Sequence, residues 1–429
     1  MTLLLKGGRI IDPGRNLDEV SDILVENGRI VDTGSFSGKE GWTIVDVSGK
    51  MVFPGFIDMH VHLREPGRED KETILTGSMA AVAGGFTSIA CMPNTDPVND
   101  CETVTRHIVE KAQDADKANV FPIGAVTKRS EGKELAEIGE MAKAGIVAIS
   151  DDGKPIQNNQ VMRRALEYAG IFDIPVLDHC EDIDLAAGGT MNESFVSTEL
   201  GLRGINSAAE EIQVARDVIL SRLTGSRVHI CHISAAESLK HVRSAKARGI
   251  RITCEAAPHH FILTEDNVKT FDPNYKMSPP LRSQKDVDAL IEGLVDGTVD
   301  CIATDHAPHL RMDKSETFDV SANGIVGLET CVPLVCDRLL HKGVITPMRM
   351  AELMSLNPAW ILGLDRGTLS PESIADITVI DPEMESVVDP EQFASKARNC
   401  PFAGWKLKGW PVMTVVAGRI AWQSPEFKG

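Results

Sequence analysis

The feature that most constrains the fold is an alternation of short apolar segments with helix-like segments between about Phe53 and Gly367. Many of the apolar segments carry β-branched residues, as is typical of parallel strands that are covered on both faces. The apolar segments number eight in all: GFIDMHVHL, TSIACMPN, VFPIGAV, VAISDDG, IPVLDHC, RVHICHIS, RITCEAAPHH and DCIATDHAPH. Eight strands alternating with helices over roughly 300 residues predict an α/β fold, a closed (β/α)8 TIM-type barrel rather than a doubly wound sheet.

Two connecting segments show the helical pattern clearly. DKETILTGSMAAVAGG starts with acidic residues and stops at Gly84 and Gly85, which predicts a helix across this segment. INSAAEEIQVARDVILSRLTG has apolar residues at helical spacing and a terminal Gly225.

Both ends of the chain have a different pattern. LLLKGGRIID, DILVENGRIVDTG and WTIVDVSGKMV alternate apolar and polar residues, and so do ADITVIDPE and GWPVMTVVAGRIAW near the other end. We therefore predict that residues 1–52 and 368–429 form one small composite β-sandwich domain, and that residues 53–367 form the barrel.

Charge and hydropathy exclude several classes of partner. The formal net charge of -18 argues against nucleic acid and anionic membranes, because phosphate binding depends on clustered Lys and Arg. The apolar start MTLLL is broken at Lys6, and no stretch approaches the roughly 18 apolar residues of a membrane helix. The nine cysteines are scattered, which indicates reduced thiols and a cytoplasmic protein.

Polar side chains with metal-binding chemistry are concentrated where the predicted strands end, and active sites of such barrels lie at the carboxyl ends of the strands. In His60-Val61-His62 the two imidazoles point to the same side of a strand and can reach one metal. Other strand ends carry Asn94, Asp151, Asp152, His179, His232, Asp305 and His309.

Each of these residues taken alone also has a structural interpretation. The two histidines of the HxH tripeptide could be hydrogen-bonded strand residues, and Asp58 is as compatible with a structural role as with ligation. Asp151-Asp152-Gly153 contains a common turn signal. These interpretations require five independent coincidences at one end of a barrel, whereas a metal cluster explains all of them.

Four imidazoles and several carboxylates exceed the ligand set of one catalytic metal, which normally has three protein ligands. We therefore predict two metals with one bridging carboxylate. Mixed His and Asp ligation suits Zn²⁺, with Mn²⁺ or Co²⁺ as substitutes. Such a pair holds a hydroxide and predicts hydrolysis, or its reverse, at a carbonyl.

The ordered motifs resemble one known family along the whole chain. GFIDMHVHLREPG, AGGFTSIACMPNTDP, SDDG, VLDHCED, HICHIS, MSPPLR, ATDHAPH and SKARNCPFAGWKLKG are similar to the type I dihydroorotases of the amidohydrolase superfamily. The resemblance implies that His60, His62 and Asp305 hold the first metal and that His179 and His232 hold the second. It also implies that Asp152 and a hydroxide bridge the two zinc ions, with Lys154 as an alternative bridge, and that Asp305 shuttles the proton.

The resemblance also implies a substrate site. Arg64 is expected to bind the unreacting carboxylate of dihydroorotate or carbamoyl aspartate, together with His62, Asn94 and His309. The alternative for Arg64 is a surface salt bridge with Glu65 or Glu69. The family pattern also has substrate contacts at Ser278, Asn323 and Gly324, but Ser278 stands where Asn is common and Asn323-Gly324 where Phe-Gly is common.

The predicted function is dihydroorotase activity, the reversible cyclisation step of pyrimidine synthesis. The alternatives are a hydantoinase, dihydropyrimidinase or allantoinase, and a silent homologue that supports aspartate transcarbamoylase. We expect a homo-oligomer, a dimer, with possible association with that transcarbamoylase. The segment from Leu310 to Asn323 is either an ordinary exposed loop or a mobile lid.

Overall fold

The computed structural model describes residues 2–429 of the chain. Its strands, in chain order, are β1 (Thr2–Asp12), β2 (Leu17–Glu26), β3 (Arg29–Gly34), β4 (Thr43–Asp46), β5 (Met51–Pro54), β6 (Phe56–Val61), β7 (Phe86–Cys91), β8 (Asn119–Gly124), β9 (Ala148–Ile149), β10 (Val176–Asp178), β11 (Met191–Asn192), β12 (Gly204–Ile205), β13 (Val228–Ile230), β14 (Ile252–Ala256), β15 (Cys301–Ile302), β16 (Ile377–Val387), β17 (Lys406–Val416) and β18 (Arg419–Gln423).

The α-helices follow the same chain order. They are α1 (Ile74–Ala83), α2 (Glu102–Ala115), α3 (Ile138–Ala144), α4 (Asn159–Ala169), α5 (Ile183–Ala186), α6 (Phe195–Leu200), α7 (Ala208–Thr224), α8 (Ala236–Ala247), α9 (Pro258–Ile262), α10 (Gln284–Asp296), α11 (Leu328–Val335), α12 (Pro347–Ala351) and α13 (Asn357–Leu362). Within residues 2–429 no helix combines the length and the apolar composition needed to cross a membrane.

Eight parallel strands form the central sheet, in the order β6-β7-β8-β9-β10-β13-β14-β15. They lie in the eight segments that the sequence pattern predicted to be strands. A parallel bridge between Val61 and His306 joins the two edges, and the His62 amide donates to the His306 carbonyl at 2.8 Å. The sheet is therefore a nearly closed (β/α)8 barrel, which confirms the predicted fold class.

Burial explains why these segments are strands of this kind. All six residues of β6 and all six of β7 are buried, because one face of each strand points into the barrel and the other is covered by helices. Apolar side chains from different strands, such as Met59, Ile123, Ala148 and Leu177, pack together in one buried cluster. This interior is a packed core, which leaves the carboxyl ends of the strands as the place for a cavity.

The two ends of the chain meet in a second sheet with the order β18-β17-β16-β5-β1-β2-β3, in which β4 also pairs with β1. β16 runs antiparallel to β5, so the last strands are hydrogen-bonded directly to the first. The termini thus share one mixed sheet, as the alternating patterns at both ends predicted. The two-layer sandwich form and the domain boundaries stay predictions.

Buried threonines connect this sheet to the barrel. The Thr378 hydroxyl, on β16, donates to the Gly85 carbonyl at 2.7 Å and accepts from the Phe56 amide at 3.1 Å. The Thr414 hydroxyl, on β17, donates to the Val82 carbonyl at 2.7 Å. These bonds satisfy backbone groups at the start of β6, just before β7 and at the end of α1, where burial would otherwise leave them unpaired.

The first predicted helix is shorter than its sequence pattern. It begins at Ile74 because the Thr73 side chain accepts from the Thr76 amide and forms a capping box, so the acidic start at Asp70 lies outside the helix. The prediction for the start of this helix was therefore wrong. The other predicted helix, α7, ends at Gly225, whose φ of +72° is the left-handed conformation that favours glycine at a helix end.

Candidate active site

The carboxyl ends of the barrel strands bring six predicted side chains together. We call them the ligand cluster: His60, His62, Asp152, His179, His232 and Asp305. His60 lies in β6, and the others follow β6, β9, β10, β13 and β15 within three residues of each strand end. All six are buried, and five of them line a cavity of about 300 Å³, while His60 is fully inaccessible.

Asp152 lies between the imidazoles. Its Oδ1 is 3.4 Å from His60 Nε2, 3.5 Å from His232 Nε2 and 3.6 Å from His179 Nδ1, and its Oδ2 is 3.6 Å from His62 Nε2. The other carboxylate is that of Asp305, whose Oδ1 is 3.1 Å from His62 Nε2 and 3.5 Å from His60 Nε2. Two sets of donor atoms therefore lie close enough to hold an ion, His60 with His62 and Asp305, and His60 with Asp152 and His232.

These residues fit divalent metal ions. Ligands about 2.0–2.1 Å from a tetrahedral zinc lie about 3.3 Å from one another, which is the separation of the cluster atoms. The buried His60 Nε2 and Asp152 Oδ1 have no hydrogen-bond partner among the described residues, and polar atoms are rarely left so inside a protein. The six residues of the ligand cluster therefore offer a donor set that suits a divalent metal.

The two carboxylates of the ligand cluster stay ionised. Burial raises the pKa of Asp152, but His60, His179 and His232 lower it further, and the pKa lies well below its usual value. Burial likewise opposes ionisation of Asp305, yet the hydrogen bond with His62 and the neighbouring imidazoles hold its pKa below the usual range. Buried negative charge of this kind requires cations nearby.

Two neighbouring side chains orient the imidazoles of the first set. His60 Nδ1 donates to Glu255 Oε1 at 2.7 Å, and His62 Nδ1 donates to Asn94 Oδ1 at 2.9 Å. Burial raises the pKa of Glu255, but His60 and His229 outweigh it and bring the pKa to about 2. With Nδ1 engaged in this way, both rings direct Nε2 at the metal position, as metal-bound histidines usually do.

Sequence reasoning missed Glu255, although RITCEAAPHH contains the signal. A charged residue inside an otherwise apolar, buried strand needs a partner. Here the partners are His60 on one side and His229 Nε2, at 3.2 Å, on the other. Glu181, which also lines the cavity, was missed as well, because it follows a motif that was assigned through His179 alone.

Three acidic or basic residues near the ligand cluster do not belong to it. The Asp58 carboxylate accepts from the backbone amides of His60 and Thr304 at 3.0 and 3.2 Å, so it joins the first and last barrel strands. The Asp151 carboxylate accepts from two backbone amides and a hydroxyl of the loop after β8. Lys154 is exposed and does not line the cavity. These positions favour Asp152 as the bridging residue.

The Arg64 subsite, formed by Arg64, Asn94 and His309, lies on the wall of the same cavity. Arg64 has a φ of +62°, and its Nε donates to the Pro308 carbonyl at 3.3 Å. No ion pair joins it to Glu65 or Glu69, so the surface salt-bridge alternative was wrong. Burial lowers the pKa of Arg64 to about 10, and the guanidinium remains a cation without an anionic partner among the described residues.

Ser278, Asn323 and Gly324 also line the cavity. The contact of Asn323 with the site is made by its backbone, because His309 Nε2 donates to the Asn323 carbonyl at 2.7 Å. Gly324 has a φ of +109°, and an added Cβ would lie 2.6 Å from the Ala307 Cβ, so a larger residue does not fit. The replacement of Phe by Asn at position 323 is therefore compatible with that contact, whereas the role of Ser278 stays a prediction.

Two lysines anchor the segment from Leu310 to Asn323. Lys314 Nζ donates to the carbonyls of Pro273 and Ala322 at 2.9 and 2.7 Å. Lys276 Nζ donates to the carbonyls of Asp319 and Ser321, each at 2.8 Å. The segment thus has a defined conformation beside the cavity, and the lid interpretation stays a prediction.

Comparison with known proteins places this geometry in a family. The family described as Dihydro-orotase-like matches residues 49–238. The dihydroorotase of Geobacter metallireducens is 53% identical over 424 residues, which is 99% of this chain and 100% of the relative. That of Pelotomaculum thermopropionicum is 54% identical and covers 99% of each chain. This chain belongs to the dihydroorotase family.

Solved structures extend the comparison to other members of the amidohydrolase superfamily. The L-hydantoinase (dihydropyrimidinase) of Arthrobacter aurescens has a TM-score of 0.88 and 25% identity, over 97% of this chain and 95% of the other. A D-hydantoinase (dihydropyrimidinase) of a Thermus species has a TM-score of 0.82 and 27% identity, over 100% and 96%. The dihydroorotase family member described here is therefore a metal-dependent cyclic amide hydrolase.

Proposed function

We propose that this chain interconverts L-dihydroorotate and N-carbamoyl-L-aspartate, a step of pyrimidine synthesis, and that it is of type I. The observation that carries this proposal is the position of the Arg64 subsite beside the ligand cluster in one cavity of about 300 Å³. The ring amide has to reach the metal position while the carboxylate, which does not react, has to be bound elsewhere. A cation without an anionic partner suits that second requirement.

The cofactor proposal is two zinc ions, held by the ligand cluster with Asp152 between them. When bound, the ions would polarise the amide carbonyl and activate water, which is the chemistry that the histidines and carboxylates alone do not supply. The mixed His and Asp donor set suits zinc, and manganese and cobalt are substitutes that the same donors accept.

The other polar residues of the cavity bind and orient the substrate. Arg64 and His309 bind the unreacting carboxylate and fix the orientation of the ring, so the reacting carbonyl faces the ligand cluster. Asn94 Oδ1 is occupied by His62 Nδ1, which leaves its amide N–H groups to donate to the substrate. Ser278 and Gly324 complete the wall around the substrate.

Asp305 is proposed to carry the proton. It accepts the proton that the attacking water loses, and it delivers this proton to the ring nitrogen as the C–N bond breaks. Its low pKa keeps the carboxylate ionised at neutral pH, so that it has a free oxygen for the proton, and burial beside His62 keeps it in one place. Ring closure runs through the same steps in reverse.

The test is an ultraviolet assay of the zinc-loaded protein with L-dihydroorotate, with hydantoin, dihydrouracil and allantoin run alongside. We expect chelator-sensitive turnover of dihydroorotate alone. Preference for an uncharged ring would move the protein to the hydantoinase side and contradict the role of Arg64. No turnover of any ring would favour the silent-homologue alternative, although each of the six positions of the ligand cluster carries a histidine or aspartate side chain.

The assembly proposals need separate measurements. We propose a homodimer, with possible association with aspartate transcarbamoylase, and a barrel over residues 53–367 with residues 1–52 and 368–429 as the second domain. Light scattering of the purified chain, alone and with a transcarbamoylase, tests the first two. Limited proteolysis tests the boundaries.

A further inference from the structure

A largely buried lysine contacts the imidazole of the Arg64 subsite. Lys71 Nζ lies 2.7 Å from Asp313 Oδ2 and 3.3 Å from His309 Nδ1. Its side chain is 10% exposed, which is unusual for a lysine and shows that its ammonium group is committed to these two partners. Neither Lys71 nor Asp313 lines the cavity, so both act on it through His309.

The hydrogen-bond chemistry of this group determines where the proton of His309 lies. An ammonium group donates and has no lone pair, so His309 Nδ1 has to be the acceptor. A neutral imidazole with an accepting Nδ1 carries its proton on Nε2. That proton is accounted for, because Nε2 lies 2.7 Å from the Asn323 carbonyl oxygen, which accepts it.

The Lys71 ammonium group also keeps the Asp313 carboxylate from accepting a hydrogen bond from the His309 ring. Asp313 Oδ2 lies 3.6 Å from His309 Nδ1, beyond hydrogen-bond distance, and reaches the ring only by way of the Lys71 ammonium group. Without that ammonium group, a carboxylate beside Nδ1 would favour a proton on Nδ1. The other charges that act on the ring are those of Arg64 and Lys314, which together with burial and Lys71 lower the pKa of His309 to about 3.

We propose that Lys71 is a positioning residue of this site, which fixes His309 as the neutral Nε2–H tautomer. In that tautomer the Nε2–H group lies at the cavity wall next to Asn323 and Gly324, where it can be shared between the Asn323 carbonyl and an anionic group of a ligand. The opposite tautomer would present a lone pair, which repels an anionic group of the substrate. The identity of that group as the carboxylate of dihydroorotate rests on the proposed function.

The tautomer is measured directly, without turnover. In the metal-loaded protein with ¹⁵N-labelled histidine, long-range ¹H–¹⁵N correlation spectra distinguish the Nε2–H ring from the Nδ1–H ring, and His309→Gln assigns the signals. We expect wild-type His309 to be neutral and Nε2–H between pH 6 and 8. In Lys71→Met and Lys71→Ala, neither of which can donate a hydrogen bond to Nδ1, we expect Nδ1–H or imidazolium signals.

Kinetics and controls complete the test. We expect the KM for dihydroorotate to rise about 10- to 100-fold in Lys71→Met, the range of a hydrogen bond to a charged group. The value of kcat should change less, and Lys71→Arg, which keeps a donor, should restore KM in part. Lys269→Met removes an exposed ammonium group that pairs with Asp266 and does not line the cavity, and we expect it to leave the tautomer unchanged.

Three results would overturn the inference: an Nδ1–H ring in the wild-type protein, an Nε2–H ring retained in both Lys71→Met and Lys71→Ala, or an equal change in Lys269→Met. The outcome is separable from that of the proposed function. If the wild-type protein does not turn over dihydroorotate but the spectra change as expected, the proposed function fails and the role of Lys71 stands.

Discussion

At the scale of single residues, the site depends on which ring nitrogen of each histidine carries a proton. Glu255 and Asn94 accept from the Nδ1 atoms of His60 and His62, which leaves both Nε2 atoms available as ligands. A swapped tautomer would direct an N–H at the metal position, where it cannot ligate. The residues that accept from Nδ1 therefore determine whether each histidine can bind a metal.

Asp305→Ala tests the proton carrier. We expect kcat to fall about 10²- to 10⁴-fold, because general acid–base catalysis contributes that range. Since Asp305 is also a candidate ligand, the bound metal has to be measured in the same sample by plasma mass spectrometry. Asp116→Ala, which removes an exposed carboxylate paired with Arg419, is the control and should retain full activity. A rate near that of wild type with metal retained would contradict the shuttle role.

Arg64→Ala tests the binding of the carboxylate. We expect the KM for dihydroorotate to rise about 10- to 100-fold, with a smaller change in kcat, because a charge-assisted contact is lost. Arg68→Ala is a matched control four residues away, since Arg68 is exposed and pairs with Asp70. Steady-state kinetics of both variants decide the matter, and an unchanged KM in Arg64→Ala would count against the assignment.

Sequence reasoning reached the ligand cluster because its residues follow strands, and strand ends meet at one face of a barrel whatever the loops do. Lys71 could not be found in this way. Its contact with His309 spans 238 positions and depends on the path of the loop before α1. That path follows from the N-terminal cap at Thr73, which starts the helix at Ile74 and leaves Lys71 and Glu72 outside it.

At the scale of elements, β14 supports β6 across the barrel. Glu255 on β14 accepts from His60 on β6, and its second oxygen accepts from His229 on β13. One buried carboxylate thus fixes the orientation of side chains on three different strands. A ligand that is held in this way loses little freedom when it binds a metal.

Glu255→Gln tests this support. We expect the affinity for zinc to fall about 10- to 100-fold, the usual effect of removing a hydrogen-bond partner of a ligating histidine. The measurement is metal transfer to a colorimetric chelator, which does not depend on catalysis. Glu237→Gln is the control, because Glu237 is exposed and pairs with Lys240. Equal zinc affinity in the Glu255 variant and the wild type would show that His60 needs no such partner.

At the scale of the whole molecule, the barrel could be predicted and the order of the terminal sheet could not. Each barrel strand carries its own local signal and pairs mostly with its neighbours in sequence, so counting the strands predicts the fold. In the terminal sheet, β5 pairs with β16, more than 300 residues away, and no local pattern identifies such a partner.

The hydroxyl of Thr378 tests how tightly this sheet is joined to the barrel. We expect Thr378→Val to lower the free energy of unfolding by about 1–3 kcal/mol, because the Gly85 carbonyl and the Phe56 amide lose their buried partner. Thr378→Ser keeps the hydroxyl and is the matched control. Urea unfolding of the three proteins gives the comparison, and equal midpoints for valine and serine would show that the bonds contribute nothing.

The seam where the barrel closes has a consequence for biosynthesis. His62 and Asp305 lie on opposite sides of that seam, where Val61 bridges to His306, and they are 243 positions apart. A chain that is still being translated has the first two histidines long before it has the carboxylate. The donor set of His60, His62 and Asp305, the proposed first metal position, therefore does not exist until the last barrel strand has left the ribosome and closed the ring. Metal uptake at that position is thus a late event, and a chain truncated before residue 305 has no such position to fill.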